Sequence, residues 1–307
     1  MLLLCIIIMW EAFQYYFQLT TKNFRLLFSF SILFSGVMLF TIERGNIILL
    51  SFLFSLIYII LFDSDNKLYR YIAYVCLALS AAIKLYPAVF GILVLYKKRY
   101  KEGINLLILG VMFFILPFFV FDGIHSLEAM VKGFSVSSSE VLNWGYGYNF
   151  SFFNLIRIFF GIKGTYISSL PGKIMILPIL LCCGIYLMND TLWKKLFALT
   201  LLIIWIPTFS YTYTLLFLIL PLIFFLKDQN KCGDIFYSIC FALLLAPWCL
   251  PKMYSINYLC GEEFKFYLTY GMLICNALIL LMGIVLFLTG VKSKINYKNS
   301  FGKIERK

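Results

Sequence analysis

Apolar runs of roughly 17–25 residues, the length a bilayer core asks of a helix, recur from one end of this chain to the other. Hydrophobic residues make up 63% of the 307 positions and charged ones 13%, where a soluble domain carries about 25% charged. The expected fold class is therefore all-α: a polytopic integral membrane protein, a helical bundle with about nine to eleven membrane segments. One transmembrane domain should cover 1–290, followed by a basic cytoplasmic tail over 291–307. No soluble domain is visible. The 33 Phe and 21 Tyr suit interfacial aromatic belts.

Charge gives the topology. The net charge of +12 reads as the excess of Lys and Arg on the cytoplasmic side of a membrane protein. Nucleic-acid binding asks for a basic patch on a folded surface, and none is present. Most cysteines sit inside apolar runs (Cys5, Cys76, Cys182, Cys183, Cys240, Cys275) and act as small apolar residues. There is no CxxC pair and His125 is the only histidine, so no metal site is expected. The cluster Lys97-Lys98-Arg99-Tyr100-Lys101 should be cytoplasmic, with Asp190 to Lys195, Lys227 to Lys231 and the tail. Helices near 104–121, 171–188, 196–207, 210–226, 235–250 and 268–290 connect them. Counting crossings puts the loop 122–172 outside. Within it, 152–161 is apolar but too short to span, and reads as a re-entrant or interfacial helix carrying Arg157.

Lys84 is the outstanding ion. It lies in an almost wholly apolar stretch, Leu68 to Leu95, where a lysine costs roughly 2.5–3.5 kcal/mol on insertion scales. It must reach an interface, line a wet cavity or meet an anion. Pro87 interrupts the helical hydrogen bonding three residues later. Two threadings follow. In one, 68–96 is a single kinked helix with Lys84 at mid-membrane. In the other the chain turns at Lys84 to Pro87 and forms two segments, roughly 67–84 and 87–100, with Lys84 and the strip Glu43-Arg44-Gly45-Asn46 both outside. The second satisfies the charge rule on three loops at once and is preferred.

Four constellations could carry chemistry. Arg44 and Asn46 stand at the head of an apolar helix with Gly45 between them, an arrangement suited to an anion; an interfacial cap is the plain alternative. Lys84-Leu85-Tyr86-Pro87 offers a cation beside a helix break. The loop from Asn143 to Asn154, with Trp144, Asn149 and Ser151, mixes aromatic faces with amides, which suits a sugar ring. It would serve equally as an aromatic belt. Pro207 to Tyr213 gathers hydroxyls and tyrosines, Tyr211 among them, at a proline break: a polar cavity lining or a plain hairpin. No hydrolase triad, P-loop or dinucleotide fingerprint occurs. Among the acidic residues only Glu11 falls inside an expected span, which lowers the case for an ion-coupled transporter.

The order of these motifs resembles a known family. Arg44-Gly45-Asn46 opens an apolar helix, and a small-residue helix ends in Ala82-Ile83-Lys84-Leu85-Tyr86-Pro87. Lys97-Lys98-Arg99, Pro117, Asn149-Phe150-Ser151-Phe152 with Arg157, and Pro207 to Tyr213 follow. This looks like the polyprenyl-phosphate-sugar-dependent membrane glycosyltransferases of the GT-C architecture, in their bacterial mannosyl- and arabinofuranosyl-transferase-like branch. The likeness covers roughly residues 10–225, and its most specific part is Lys-Leu-Tyr-Pro followed by a basic loop.

The resemblance implies a sugar, mannose-like, moved from a polyprenyl-phosphate donor to a cell-envelope glycan or lipid acceptor on the outer face of the plasma membrane. Lys84, Arg44 and Arg157 would serve the donor phosphate. Asn46, Tyr86, Trp144, Asn149, Ser151 and Tyr211 would line the sugar and acceptor pocket. No cofactor is called for beyond the lipid-linked donor, with a divalent cation left open. In that family the catalytic aspartate follows the first helix, and nothing here matches it. The expectation is a chain lacking the family's N-terminal part, through a start codon further upstream or as an incomplete, inactive relative. Asp122 is then the substitute candidate for the general base. The alternative functions are an O-antigen-type polymerase and a lipid-linked-sugar flippase or transporter.

Overall fold

The computed structural model of the protein describes the whole chain except residues 1, 19, 134–148, 161–174, 208, 229–233, 247–253, 256–266, 269 and 305–307. The described residues are mostly helical, with one short antiparallel pairing of Tyr254–Ser255 and Tyr267–Leu268 among them. The all-α expectation holds at that level. The chain divides into two compact units, Met1–Val141 with Thr212–Leu216, and Leu142–Tyr211 with Phe217–Lys307.

The number of spans is corrected. Among the described residues two helices, Tyr100–Val120 and Leu273–Asn296, are long and apolar enough to cross a membrane. Lys22–Leu33 with Gly36–Glu43, bent by 49°, makes a third if the pair counts as one span. Nine to eleven segments are not supported. Apolar runs were counted as spans, but local chemistry cuts most of them into helices well short of the ~20 residues a bilayer needs.

In the first unit α1 (Leu2–Tyr16) and α2 (Lys22–Leu33) form a hairpin sealed by rings. Phe28 packs edge-on against Phe13 and Phe17, with centroids 5.4 and 4.9 Å apart. Ser35 makes the bend into α3 (Gly36–Glu43): its hydroxyl donates to Ile32 O at 2.7 Å and accepts the Met38 N–H at 3.3 Å. It ends one helix and caps the next. α3 closes with the two crossed hydrogen bonds of a Schellman motif, Asn46 N–H to Thr41 O and Gly45 N–H to Ile42 O, with Gly45 at φ +56°.

α4 (Ile48–Leu61) and α5 (Lys67–Ile83) then lie antiparallel, joined by a short link. Ser51 and Ser55, four apart and so on one face of α4, both reach Ser80 Oγ at 2.8 Å. Ser80 also donates to Ser51 O at 2.7 Å. These dry hydroxyls satisfy one another and let the helices approach closely. After α5 the chain reverses. A 3-10 turn (Tyr86–Gly91) and the short α6 (Ile92–Tyr96) run back along the hairpin, and the Tyr58 hydroxyl donates to Phe90 O at 3.1 Å. α7 (Tyr100–Val120) turns again and packs along α5. A further helix, α8, covers 124–133.

The second unit contains α9 (Phe152–Phe160), α10 (Ile176–Met188), α11 (Leu192–Trp205), α12 (Ile219–Lys227), α13 (Asp234–Leu245) and α14 (Tyr270–Ile304); the 3-10 turn Thr212–Leu218 that leads into α12 begins in the first unit. α11 is the axis of the second unit, with Trp193, Leu196, Phe197, Leu201 and Trp205 buried. α10 and α14 meet at two glycines. A Cβ on Gly184 would fall 2.5 Å from the Phe287 ring, and one on Gly290 2.7 Å from Asn189 Nδ2. Asn189 ties the pair by donating to Ile185 O at 2.9 Å and Leu286 O at 3.2 Å. α14 continues past 290 through the region expected to be a separate tail.

Candidate functional site

Lys84 is the C-cap of α5, extended at φ −142° and ψ 119°, so the helix stops there and the chain turns back. Pro87 stands at the start of the 3-10 turn, where its missing N–H costs nothing. Over 67–96 the chain forms two segments that turn back at Lys84, not one kinked helix. Lys97 Nζ returns to Asp63 at 2.5 Å and Arg99 reaches the same carboxylate at 3.3 Å, so residues 63 and 97 share one end of the bundle. Glu102 adds to that end, bound by Arg70 at 3.1 Å and by the Tyr74 hydroxyl. This belt pairs Lys97 and Arg99 of the basic cluster, while Lys98 and Lys101 make no ion pair among the described residues.

Lys84 sits at the other end. It follows Ser80 by four residues, and Asn46 precedes Ser51 by five, so the Ser51–Ser80 contact puts both on the same end of the α4–α5 hairpin. Among the described residues the Lys84 ammonium has no carboxylate or hydrogen-bond partner, and the side chain is half-buried. Arg44 is exposed, its guanidinium 5.2 Å from the centre of the Phe40 ring. Asn46 uses its Oδ1 to accept the Ile48 N–H at 3.0 Å, opening α4. The strip expected at a helix head is thus first the C-terminal cap of α3.

Below the Lys84 turn, α5, α6, α7 and the 3-10 turn enclose an apolar cleft of about 500 Å³. Ala78, Ala81, Ala88, Gly91, Gly103 and Gly110 line it. Ala81 and Ala88 flank the turn on its two sides, so the cleft begins next to Lys84. α7 runs parallel to α5, with Glu102 at the charged end and Gly110 level with Ala81 across the cleft. Asp122 therefore emerges at the Lys84 end, roughly 13 Å further along at 1.5 Å per helical residue. It is exposed, and its N–H donates to Ser126 Oγ at 3.1 Å.

In the second unit two motifs far apart in sequence are tied together. Asn149 and Tyr211 form a β-bridge, Phe150 N–H donates to Ser210 O at 2.6 Å, and Asn149 Oδ1 accepts the N–H groups of Ser151 at 3.0 Å and Ser210 at 2.9 Å. Ser151 caps α9 by accepting the Asn154 N–H at 3.2 Å, while Asn154 Nδ2 donates to Asn149 O at 2.8 Å. Asn149, Ser151, Asn154 and Ser210 are all buried. These groups bind backbone, so they shape the loop crossing. Tyr211 stacks edge-on against Phe209 at 3.9 Å. Trp144 lies outside the described residues. Arg157 belongs to α9, and its side chain is likewise outside the described ones.

The linkage of Asn149 to Ser210 was missed from the sequence, because nothing local signals a bridge between loops. The serine ladder was missed too, although hydroxyls spaced by four in an apolar run are a readable sign of close helix packing. Among the described residues no three His, Cys, Asp or Glu side chains are grouped as a metal would need.

The described residues of the first unit thus form a helical apolar scaffold with a cation at a chain reversal, a cleft beneath it and ion pairs at the opposite end. The chain belongs to glycosyltransferase family 87, whose sequence pattern it matches over residues 1–210. No curated protein and no solved structure matches it. With the family and the apolar helices together, it is a membrane glycosyltransferase.

Proposed function

We propose that the protein moves a sugar, mannose-like, from a polyprenyl-phosphate donor to a cell-envelope glycan or lipid acceptor at the outer face of the plasma membrane. The observation that carries this reading is the Lys84 turn. A half-buried ammonium sits above an apolar cleft, at the end of the first unit opposite the Asp63–Lys97–Arg99 belt. If the belt is cytoplasmic, as the excess of basic residues favours, Lys84 faces out. A lipid phosphate matches that pattern, with its oxyanion at Lys84 and its tail along the cleft.

In the transfer, the acceptor hydroxyl attacks the anomeric carbon, the C–O bond to phosphate breaks, and the lipid phosphate leaves with the bonding pair. Lys84 would stabilise charge gathering on that phosphate, with Arg44 level with it on the neighbouring helix end. A general base takes the hydroxyl proton, and Asp122, at the same end, is the candidate within the first unit. Asn46 and Tyr86, in the same unit as Lys84, are proposed for the sugar pocket; the proposals for Arg157, Trp144, Asn149, Ser151 and Tyr211 rest on the family resemblance alone. Purified protein supplied with labelled donor lipid should release polyprenyl phosphate. Lys84→Ala should lower turnover by about 100-fold or more, in the range lost when one preorganised charge-stabilising group is removed, with the melting temperature unchanged. Undiminished turnover would remove Lys84 from the reaction.

A further inference from the structure

The ion pairs at the belt end of the first unit leave positive charge over. Lys67, Arg70, Lys97, Lys98, Arg99 and Lys101 stand there with three carboxylates, Asp63, Asp65 and Glu102. Asp63 takes Lys97 at 2.5 Å and Arg99 at 3.3 Å, and Glu102 takes Arg70 at 3.1 Å. Lys67, Lys98 and Lys101 are exposed and make no ion pair among the described residues. Asp65, also exposed and outside those ion pairs, offsets one of the three. Exposed lysines are commonly no more than solvated. Two observations give Lys98 and Lys101 a partner.

The first is their height. α7 is long and apolar enough to cross a membrane, and the protein itself covers little of it. Ile104, Leu107, Ile108 and Val111 are exposed along it. In a bilayer such side chains meet acyl chains, so Lys101 in the first turn of α7, and Lys98 just before it, stand at the level of the headgroups. Tyr69, Tyr96 and Tyr100, exposed at the same end, mark that level as interfacial tyrosines do. The second is the backbone of Lys98. It is left-handed at φ 56°, a conformation that glycine adopts freely and lysine only against strain. The turn gains nothing from a side chain at this position, and strain of this kind persists where the residue has a task.

We propose that Lys98 and Lys101 bind the phosphate of an anionic phospholipid from the leaflet at this end, with Lys67 adding to the attraction and the acyl chains lying along the exposed side of α7. The two lysines are three residues apart, so their Cα atoms lie within about 11 Å, and their flexible stems let two compact ammonium groups converge on one phosphodiester. The bound lipid holds the end of α6 and the start of α7 at the membrane surface. This site does not depend on the donor-phosphate reading, because Lys84 lies at the opposite end of the unit.

The test titrates the purified full chain in detergent with short-chain phosphatidylglycerol, short-chain phosphatidylcholine and inorganic phosphate, for wild type, Lys98→Gly, Lys101→Gln and Lys84→Ala. The rise of melting temperature with ligand concentration gives each affinity. Wild type should bind phosphatidylglycerol about 25-fold more tightly than phosphatidylcholine, about fivefold for each of two lysines at an anionic headgroup. Lys98→Gly should raise the melting temperature without lipid, since it relieves the turn, and yet weaken phosphatidylglycerol about fivefold. A lysine that only closed the turn would not give these opposite signs. Lys101→Gln should weaken phosphatidylglycerol by a similar factor, and Lys84→Ala should leave it unchanged. If Lys98→Gly and Lys101→Gln bind phosphatidylglycerol like wild type, the proposal is wrong, and a loss confined to Lys84→Ala would place the anion at the other end and overturn it equally. Equal affinity of wild type for the two lipids removes the headgroup charge from the binding. Inorganic phosphate protecting at the same concentration as phosphatidylglycerol overturns the lipid assignment.

Discussion

Gly45 and Lys98 occupy the same backbone position for the same reason, and only one of them suits it. Each is the left-handed residue that closes a helix, at φ +56° and φ 56°. At Lys98 the crossed bonds run from Arg99 N–H to Val94 O and from Lys98 N–H to Leu95 O, the counterpart of the pair around Gly45. A side chain in this conformation costs roughly 1–2 kcal/mol, which glycine escapes. Gly45→Ala should therefore destabilise by about 1 kcal/mol even though nothing stands within 4 Å of the added Cβ. Lys98→Gly should stabilise by roughly 0.5–1 kcal/mol, the relief of strain less the entropy of a freer unfolded chain. Thermal unfolding in detergent reads both. A neutral Gly45→Ala would mean that the α3 cap does not hold the Arg44–Asn46 strip.

α4 and α5 hold Lys84 level with Asn46 through three serines that no apolar periodicity reveals. Hydropathy made the runs around 48–61 and 67–83 legible, and the basic cluster at 97–101 made the reversal at Lys84 the better threading. Neither said how the helices lock. The register comes from Ser51, Ser55 and Ser80, whose hydroxyls count as polar blemishes in a hydropathy sum. The Asn149–Ser210 crossing was opaque for a related reason: it joins the Asn149 side-chain amide to the Ser210 N–H some sixty residues away in sequence. The motifs themselves were visible as clusters of amides and hydroxyls. Ser80→Ala should cost about 1 kcal/mol, the net worth of a hydrogen bond. Ser80→Leu should cost more, roughly 1–3 kcal/mol, by forcing apart a contact built for a small side chain, and should lower turnover by displacing Lys84. Equal effects of the two substitutions would show that the hydroxyls and not the close approach set the register.

The charge layout of the first unit predicts a topology that span counting alone did not reach. Among the described residues two helices, or three with the bent pair, have the length to cross a bilayer, and the shorter segments must rest their ends at or below its surfaces. α5 is about 25 Å long at 1.5 Å per residue, and its return path through the 3-10 turn and α6 is shorter still. Such a pair works as a membrane hairpin only if its two open ends are anchored on one side. The anchor is ionic: Asp63 takes Lys97 and Arg99, and Glu102 takes Arg70. These bonds join the loop after α4, the start of α5, the end of α6 and the start of α7 into one plane. Residues 65 and 101 must then share a side, and residues 45 and 85 must lie on the other. Reporter fusions at the first pair should be active with a cytoplasmic reporter and silent with an extracytoplasmic one, and fusions at the second pair should behave oppositely. Positions 65 and 101 on different sides would make 67–96 a single crossing and strip Lys84 of its place beside Asn46. Asp63→Lys tests the anchor itself, since it sets three like charges where one carboxylate now holds two cations. It should leave some chains with 101 outside, and a wholly unchanged orientation would show that the apolar helices fix the hairpin without the belt.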